Sequence, residues 1–309
     1  MNRSRLVAPI AALSAAALVA LALAGCSAQV AGPSDATKTG TISVVASTDV
    51  WGSVVSAVGG DHVVVTSIID DPSKDPHEYQ ADARNQLAIA RANVVVANGG
   101  GYDDFVTTMV KAANRHPTVL TAADISGYDQ HPSTGSFNEH VWYDFPTVQK
   151  VADQLATTFA QADPKYAADF RANAMAFDAK LADLEATEAQ LKNAHAGDEV
   201  TITEPVPLYM LDAIGLKNVT PVKFSEAIEN GTDVAPMVLQ QTLALYRSGH
   251  VKLLAYNEQT TGAQTQVVLN AAKKNGVAVI PVTETLPAGE NYIQWMTANL
   301  DAIGKALGD

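Results

Sequence analysis

His77, His140, Glu204 and Glu284 are the side chains best placed to do chemistry: two imidazoles and two carboxylates, each in a loop after an apolar, β-type run, two in each half of the chain. They stand in Asp75-Pro76-His77-Glu78-Tyr79, Glu139-His140-Val141-Trp142-Tyr143-Asp144, Thr203-Glu204-Pro205-Val206-Pro207 and Val282-Thr283-Glu284-Thr285-Leu286-Pro287. No two are close enough in sequence to make a local motif, so only a fold that faces one half of the chain against the other unites them. Imidazole nitrogen combined with carboxylate oxygen suits zinc, manganese and iron(II) better than calcium or copper(I). The implied chemistry is a divalent transition metal ion held between two lobes.

Each residue also has a plainer reading. A histidine beside Pro76 is an ordinary loop residue, because loops gather polar side chains. His140 is equally a core histidine satisfied by Asp144, which on an extended segment points to the same side; support of a metal-ligating histidine by a neighbouring carboxylate predicts that same contact. Glu204 before Pro205 could end a strand, and Glu284 could cap a helix beginning near Gly289.

The elements that must position these residues read as alternating strands and helices. In the first half, β-type runs occupy Ile42–Ser47, Val63–Ile69, Asn93–Ala97 and Thr118–Thr121, with helix-like stretches such as Trp51–Val58 and Ala83–Ala92 between them. The second half repeats this with Val200–Thr203, Asn218–Val222, Val251–Tyr256 and Val277–Val282. The pattern predicts an α/β fold of two pseudo-symmetric βα lobes, each with a mainly parallel four-stranded sheet and with ligands bound beyond the C-terminal strand ends. Between the halves, Asp163 can cap a helix with Pro164 at its first position and Gly197 can end it. Tyr166, Phe170, Ala174, Phe177, Leu181 and Leu184 keep a three-or-four spacing and Leu191 follows two turns on, one apolar stripe on one long connecting helix. The expected organisation is 41–162 for the first lobe, 163–197 for the helix and 198–309 for the second lobe.

The N-terminus bears on location. Arg3 and Arg5 precede an apolar run from Leu6 to Ala24, the pattern of a secretory signal. Leu23-Ala24-Gly25-Cys26 resembles the bacterial lipobox, which implies cleavage after residue 25 and a lipid on Cys26. That is the only cysteine, so no disulfide or thiolate metal site is available. Residues 26–40 have the composition of a flexible tether. Removing Arg3 and Arg5 takes the formal net charge from −13 to −13 − 2 = −15, which argues against nucleic acid as a partner.

The chain resembles the periplasmic or lipoprotein metal-binding receptors of manganese and zinc ABC importers. The motifs that carry the resemblance are Asp75-Pro76-His77-Glu78-Tyr79 followed by Asn98-Gly99, and His140-Val141-Trp142 followed by Asp144; overall it spans Thr41 to Asp309. It implies that His77 and His140 are metal ligands. The third ligand of that family is His in many zinc receptors and Glu in many manganese receptors, and Glu204 holds that position here. The fourth is usually Asp near the end of the last strand; this chain has none there, which leaves Glu284, with water or Asp144 as the alternatives. Many zinc receptors carry a His-rich loop before the second His ligand, whereas 127–138 holds only His131. Both features tilt the expected cargo toward manganese, with zinc and iron(II) also accommodated. The resemblance further implies an exported, lipid-anchored monomer on the outer face of the cytoplasmic membrane, delivering its ion to an ABC permease with its ATPase.

His62, His116, His131, His195 and His250 are expected to be solvated. No G-x-S-x-G, H-E-x-x-H, P-loop or dinucleotide fingerprint is present, and Gly99-Gly100-Gly101 reads as a tight βα turn. The chain is not expected to be an enzyme. The competing readings are a metal-dependent hydrolase using the same ligands with an open coordination position, and a surface adhesin.

Overall fold

Runs of β-branched residues in each half form parallel strands buried on both faces. In the computed structural model, which describes residues 42–71, 79 and 82–308, the first lobe contains β1 (Ile42–Thr48), α1 (Asp49–Gly59), β2 (Val63–Ile69), α2 (Ala83–Arg91), β3 (Val94–Ala97), α3 (Asp104–Ala112), β4 (Thr118–Thr121), α4 (Ala122–Ser126) and α5 (Phe145–Ala162). The long helix α6 (Ala167–His195) joins it to β5 (Glu199–Ile202), α7 (Leu208–Ala213), β6 (Lys217–Asn218), α8 (Val222–Glu229), α9 (Pro236–Leu245), β7 (Val251–Asn257), α10 (Ala263–Lys274), β8 (Ala278–Val282) and α11 (Tyr292–Leu307). The strand orders are β2-β1-β3-β4 and β6-β5-β7-β8, the same arrangement twice, with every pairing parallel. His77 and the N-terminal segment with Cys26 lie outside the described residues. Among the described residues no helix is long and apolar enough to cross a membrane.

The two-residue alternation of the strands sorts side chains between two layers. Val44 and Ala46 of β1 face a core shared with α1, α5 and α6, while Val45 faces a separate cluster with Ile89, Val95 and Val106. In β7, Leu253 and Ala255 join the shared core, and Leu254 and Tyr256 pack outward with Phe224 and Val268. Both faces are covered, as a parallel sheet requires. The shared core is continuous through both lobes, running from Trp51 and Phe159 across the stripe of α6 to Ile202, Ile280 and Trp295.

The stripe is the reason for that continuity. Phe170, Ala174, Phe177, Leu181, Leu184 and Leu191 are buried, and Tyr166 packs against the same core. Each large apolar side chain buried this way contributes about 1.5–3 kcal/mol, and 29 residues at about 1.5 Å each give a rod of about 43 Å. Asp163 caps a 3-10 turn at Pro164–Tyr166 by accepting from the Lys165 amide, and the α-helix proper starts one turn later than the capping pattern suggested.

Three other details differ from the sequence reading. The strand expected over Asn218–Val222 is only β6, because Pro221 has no N–H to donate and leads into α8. Thr220 takes over the ladder instead, its hydroxyl accepting from the Ile202 amide at 2.9 Å. His62 is half-buried rather than solvated, stacked on Tyr166 at 3.7 Å between centroids and paired with Asp169 at 3.0 Å. His195 is likewise half-buried, with Nδ1 3.3 Å from an Asp198 oxygen, while His116, His131 and His250 are exposed.

Glu188 occupies the gap in the stripe between Leu184 and Leu191. It is 7 % exposed, and burial, with Glu185 and Asp144 nearby, pushes its carboxyl from 4.5 up to about 8. The folded chain therefore binds a proton that the unfolded chain has released, and stability falls as pH rises from about 4.5 to about 8. Glu188→Gln should raise the unfolding free energy at pH 8 by about 2–4 kcal/mol. The gain should vanish toward pH 4.5 in urea titrations run across that range.

Candidate metal centre

The C-terminal ends of β5, β7 and β8 deliver three polar side chains to one point. β5 runs out into Thr203, whose amide still pairs with the Ala255 carbonyl at 3.0 Å, and Glu204 follows. Asn257 ends β7, and its amide donates to the Thr203 hydroxyl at 2.8 Å, locking the two strand ends together. Glu284 lies two residues beyond β8. Because β5 sits between β6 and β7, the crevice at its end is the point where the strand order reverses, the usual ligand position in such sheets.

Asn257 organises the two carboxylates. Its Nδ2 donates to Glu204 Oε2 at 2.6 Å and to Glu284 Oε1 at 2.8 Å, and its Oδ1 accepts from the Gln259 amide at 3.0 Å. The Thr260 hydroxyl donates to the same Glu204 oxygen. Glu204 is 2 % exposed; Glu284 and Asn257 are 0 % exposed. Burial, reinforced by the negative charge of Glu284, raises the Glu204 carboxyl to about 7 against the lowering effect of its hydrogen bonds.

The first lobe supplies His140, also fully buried, with Nε2 3.8 Å from Glu284 Oε2. Burial disfavours the imidazolium, but the close approach of Glu284 and the charges of Glu284, Glu139 and Glu229 outweigh it, so the pKa lies above the usual histidine value. The ring packs edge-on to Trp142 at 5.1 Å and Tyr102 at 6.1 Å. His140 does not follow β4 directly; α4 and the stretch 127–139 intervene. Asn98 anchors that stretch from the end of β3, its Nδ2 donating to the Glu139 carbonyl at 2.8 Å and its Oδ1 accepting from Trp51 Nε1 at 3.2 Å.

The glycine turn after Asn98 behaves as its spacing suggested. Gly99 and Gly100 have φ of +76° and +69°, and a Cβ on either would meet Thr121 or Phe137 at 2.3 or 2.5 Å. The turn closes on a buried carboxylate of this chain: Asp103 accepts from the Asn98 and Gly99 amides at 2.6 and 2.8 Å.

The structure thus brings His140, Glu204 and Glu284 together across the lobe seam. Asp144 takes a different role from the expected support of His140. Val141–Tyr143 is a 3-10 turn and not an extended segment, so the same-side argument fails. Asp144 instead caps α5, accepting from the Thr147 amide at 3.1 Å and from the Thr147 hydroxyl. The partner of His140 Nδ1 is Asn138 Oδ1 at 2.7 Å. Glu284 is not a helix cap either; α11 is capped by Asn291. Glu139 and Glu229 were not singled out in the sequence, yet both approach His140, with one donor atom from each of the three within 4.8 Å of the others. They are half-buried, whereas Glu204 and Glu284 are enclosed. A cavity of about 660 Å³ lined by Glu229, Asp233, Thr260 and Gln264, among others, adjoins them.

Hydrogen bonds across the seam hold the site loops in register. Tyr143 O–H donates to the Thr283 carbonyl at 2.9 Å, Tyr292 O–H to the Trp142 carbonyl at 2.6 Å, and the Leu286 amide to Asp49 at 3.2 Å. Residues on both sides of Glu284, and those just after His140, are therefore tied to the opposite lobe.

A family model described as the periplasmic zinc-uptake complex component A matches residues 44–306. The chain belongs to this family. Among curated relatives, the manganese-binding lipoprotein MntA of Bacillus subtilis is 24% identical over 273 residues, covering 86% of this chain and 87% of its own. The metal ABC transporter substrate-binding lipoprotein SsaB of Streptococcus sanguinis is 23% identical over 314 residues, covering 96% and 97%. The solved structure of the periplasmic zinc-binding protein TroA from Treponema pallidum superposes with a TM-score of 0.73 at 17% identity, covering 87% of this chain and 100% of that one. These relatives are of the class to which the sequence motifs pointed, and the fold is that of the solved TroA structure.

Two buried carboxylates on one amide, with an imidazole beside one of them, make a site whose electrostatic balance depends on Asn257 staying neutral. Asn257→Asp places a third carboxylate there. Unfolding of the metal-free protein at pH 8 should be easier by about 3 kcal/mol, with the deficit shrinking at pH 6 as carboxyls protonate, read from denaturant midpoints at the two pH values.

Proposed function

We propose that this chain is an extracytoplasmic receptor that captures one divalent transition metal ion between its lobes and delivers it to an ABC permease. The observation that carries this reading is the enclosed group of His140, Glu204 and Glu284, assembled from both lobes at the ends of β5 and β8. An imidazole with two carboxylates is a donor set for manganese, zinc or iron(II). His77, on the resemblance of its motif, completes the set from the first lobe. A divalent cation also offsets the burial and the neighbouring Glu284 charge that together lift the Glu204 carboxyl.

Manganese is the cargo we favour. Glu204 supplies oxygen where many zinc receptors have imidazole, and two further carboxylates, Glu139 and Glu229, stand beside His140. Oxygen-rich surroundings suit the harder ion. In the proposed organisation residues 1–25 are a leader, Cys26 carries the lipid, 26–40 are the tether, and lobes 41–162 and 198–309 flank a helix at 163–197. The protein acts as a monomer at the outer face of the membrane, and its interaction with metal is capture without turnover.

Protons and metal compete for the same atoms. His140 and Glu204 both hold protons at higher pH than usual in the metal-free protein, so binding releases protons and weakens as pH falls. Chelator competition on the metal-stripped, detergent-solubilised full chain should find one tight equivalent of manganese or zinc, with affinity dropping between pH 8 and pH 6 and about one to two protons released per ion. His140→Ala should cost at least about 100-fold in affinity, and Glu204→His should move the preference toward zinc. Unchanged binding in His140→Ala would refute the receptor assignment.

A further inference from the structure

Asn138 touches both sides of the seam with one amide. Its Oδ1 accepts from the His140 backbone N–H at 3.2 Å and lies 2.7 Å from His140 Nδ1. Its Nδ2 donates to the Pro205 carbonyl at 3.1 Å, in the second lobe and directly after Glu204. Its own carbonyl accepts from the Tyr209 hydroxyl of α7 at 2.8 Å.

These contacts fix which way the amide points. A backbone N–H can only donate and a backbone carbonyl can only accept, so the oxygen must face His140 and the nitrogen must face Pro205. With an oxygen at 2.7 Å, His140 Nδ1 must carry a proton and donate. The lone pair available for a metal is then on Nε2, the atom that faces Glu284. The choice of imidazole tautomer is therefore made by a residue outside the donor set, and that residue is held by the loop carrying Glu204.

We propose that Asn138 is a positioning residue that sets His140 for metal binding through Nε2 and ties that setting to the place of the Glu204 loop. The inference rests on the metal-receptor reading above. When the lobes are seated, one amide holds His140 in its ligating form and keeps Pro205 within reach. If the second lobe shifts, the amide loses its anchor and the ring loses its orientation. Ligand groups of both lobes are then lost together instead of one at a time.

The test uses Asn138→Ala and Asn138→Asp in the detergent-solubilised full chain, with manganese and zinc as probes. Alanine removes both the acceptor and the donor and should lower affinity by about 10–100-fold. Aspartate keeps the acceptor facing Nδ1–H but cannot donate to Pro205, so it should recover most of the loss for the ring while leaving a faster metal release than the parent. In the zinc-loaded parent, nitrogen NMR of His140 should show the proton on Nδ1 and the metal on Nε2. Metal on Nδ1, or an Asn138→Ala affinity equal to the parent, overturns the proposal. So does an Asn138→Asp loss as deep as that of alanine together with an equal drop in metal-free thermal midpoint, which would mark a loop-packing role. In each of these outcomes tight binding by the parent leaves the receptor reading intact, whereas a parent that binds neither metal removes both.

Discussion

Everything in this fold converges on the cost of putting two carboxylates side by side out of water. Glu204 and Glu284 share the two protons of a single amide, that of Asn257, and buried like charges are costly unless donors, a proton or a counter-charge offsets them. The donor must be neutral, rigid and on a strand end. Asn257 meets these needs because the β5 and β7 backbones lock around it through Thr203. The ladder of the second lobe is thus the scaffold of its charge distribution, and His140 approaches from the other lobe as the balancing cationic group.

Much of this was legible in the chain. Continuous apolar runs such as Val44-Val45-Ala46 and Leu253-Leu254-Ala255 mark strands because both faces must be apolar, and their fourfold recurrence in each half specifies the paired sheets. The stripe on α6 was visible because Phe, Leu and Ala at three-or-four spacing have no other use in so polar a segment. That His140, Glu204 and Glu284 face one another was readable in outline, because polar residues just past the apolar runs are few in each half. Support by amides was not: Asn98, Asn138 and Asn257 look like any loop asparagine until the geometry gives each a donor and an acceptor. Asp144 failed for a related reason, since the side to which a residue points in a short 3-10 turn is set by the local winding and not by counting. Glu188 was passed over because a charged residue in an apolar stripe reads as a break, whereas here it is buried.

The first lobe solves a comparable problem by different means. The glycine turn after β3 presents amides in the way that anion sites do, but the anion is Asp103 of the chain itself. That closes the turn to external phosphate and frees the Asn98 side chain to reach the Glu139 carbonyl. A motif resembling a nucleotide cradle therefore serves to hang the His140 loop from the sheet, and the resemblance to phosphate chemistry is spent internally.

The spine α6 belongs to the interior of both lobes at once. A jointed receptor, with a slack connection between its halves, could advertise its cargo by a large change of outline. Here a common interior runs through the joint, and any wide swing would tear apolar packing on both sides of the rod. Packing of this kind favours loop shifts on the scale of a side chain over rotation of a whole lobe. Under the receptor reading proposed above, a permease would have to tell the loaded and empty forms apart by local texture at the mouth of the seam.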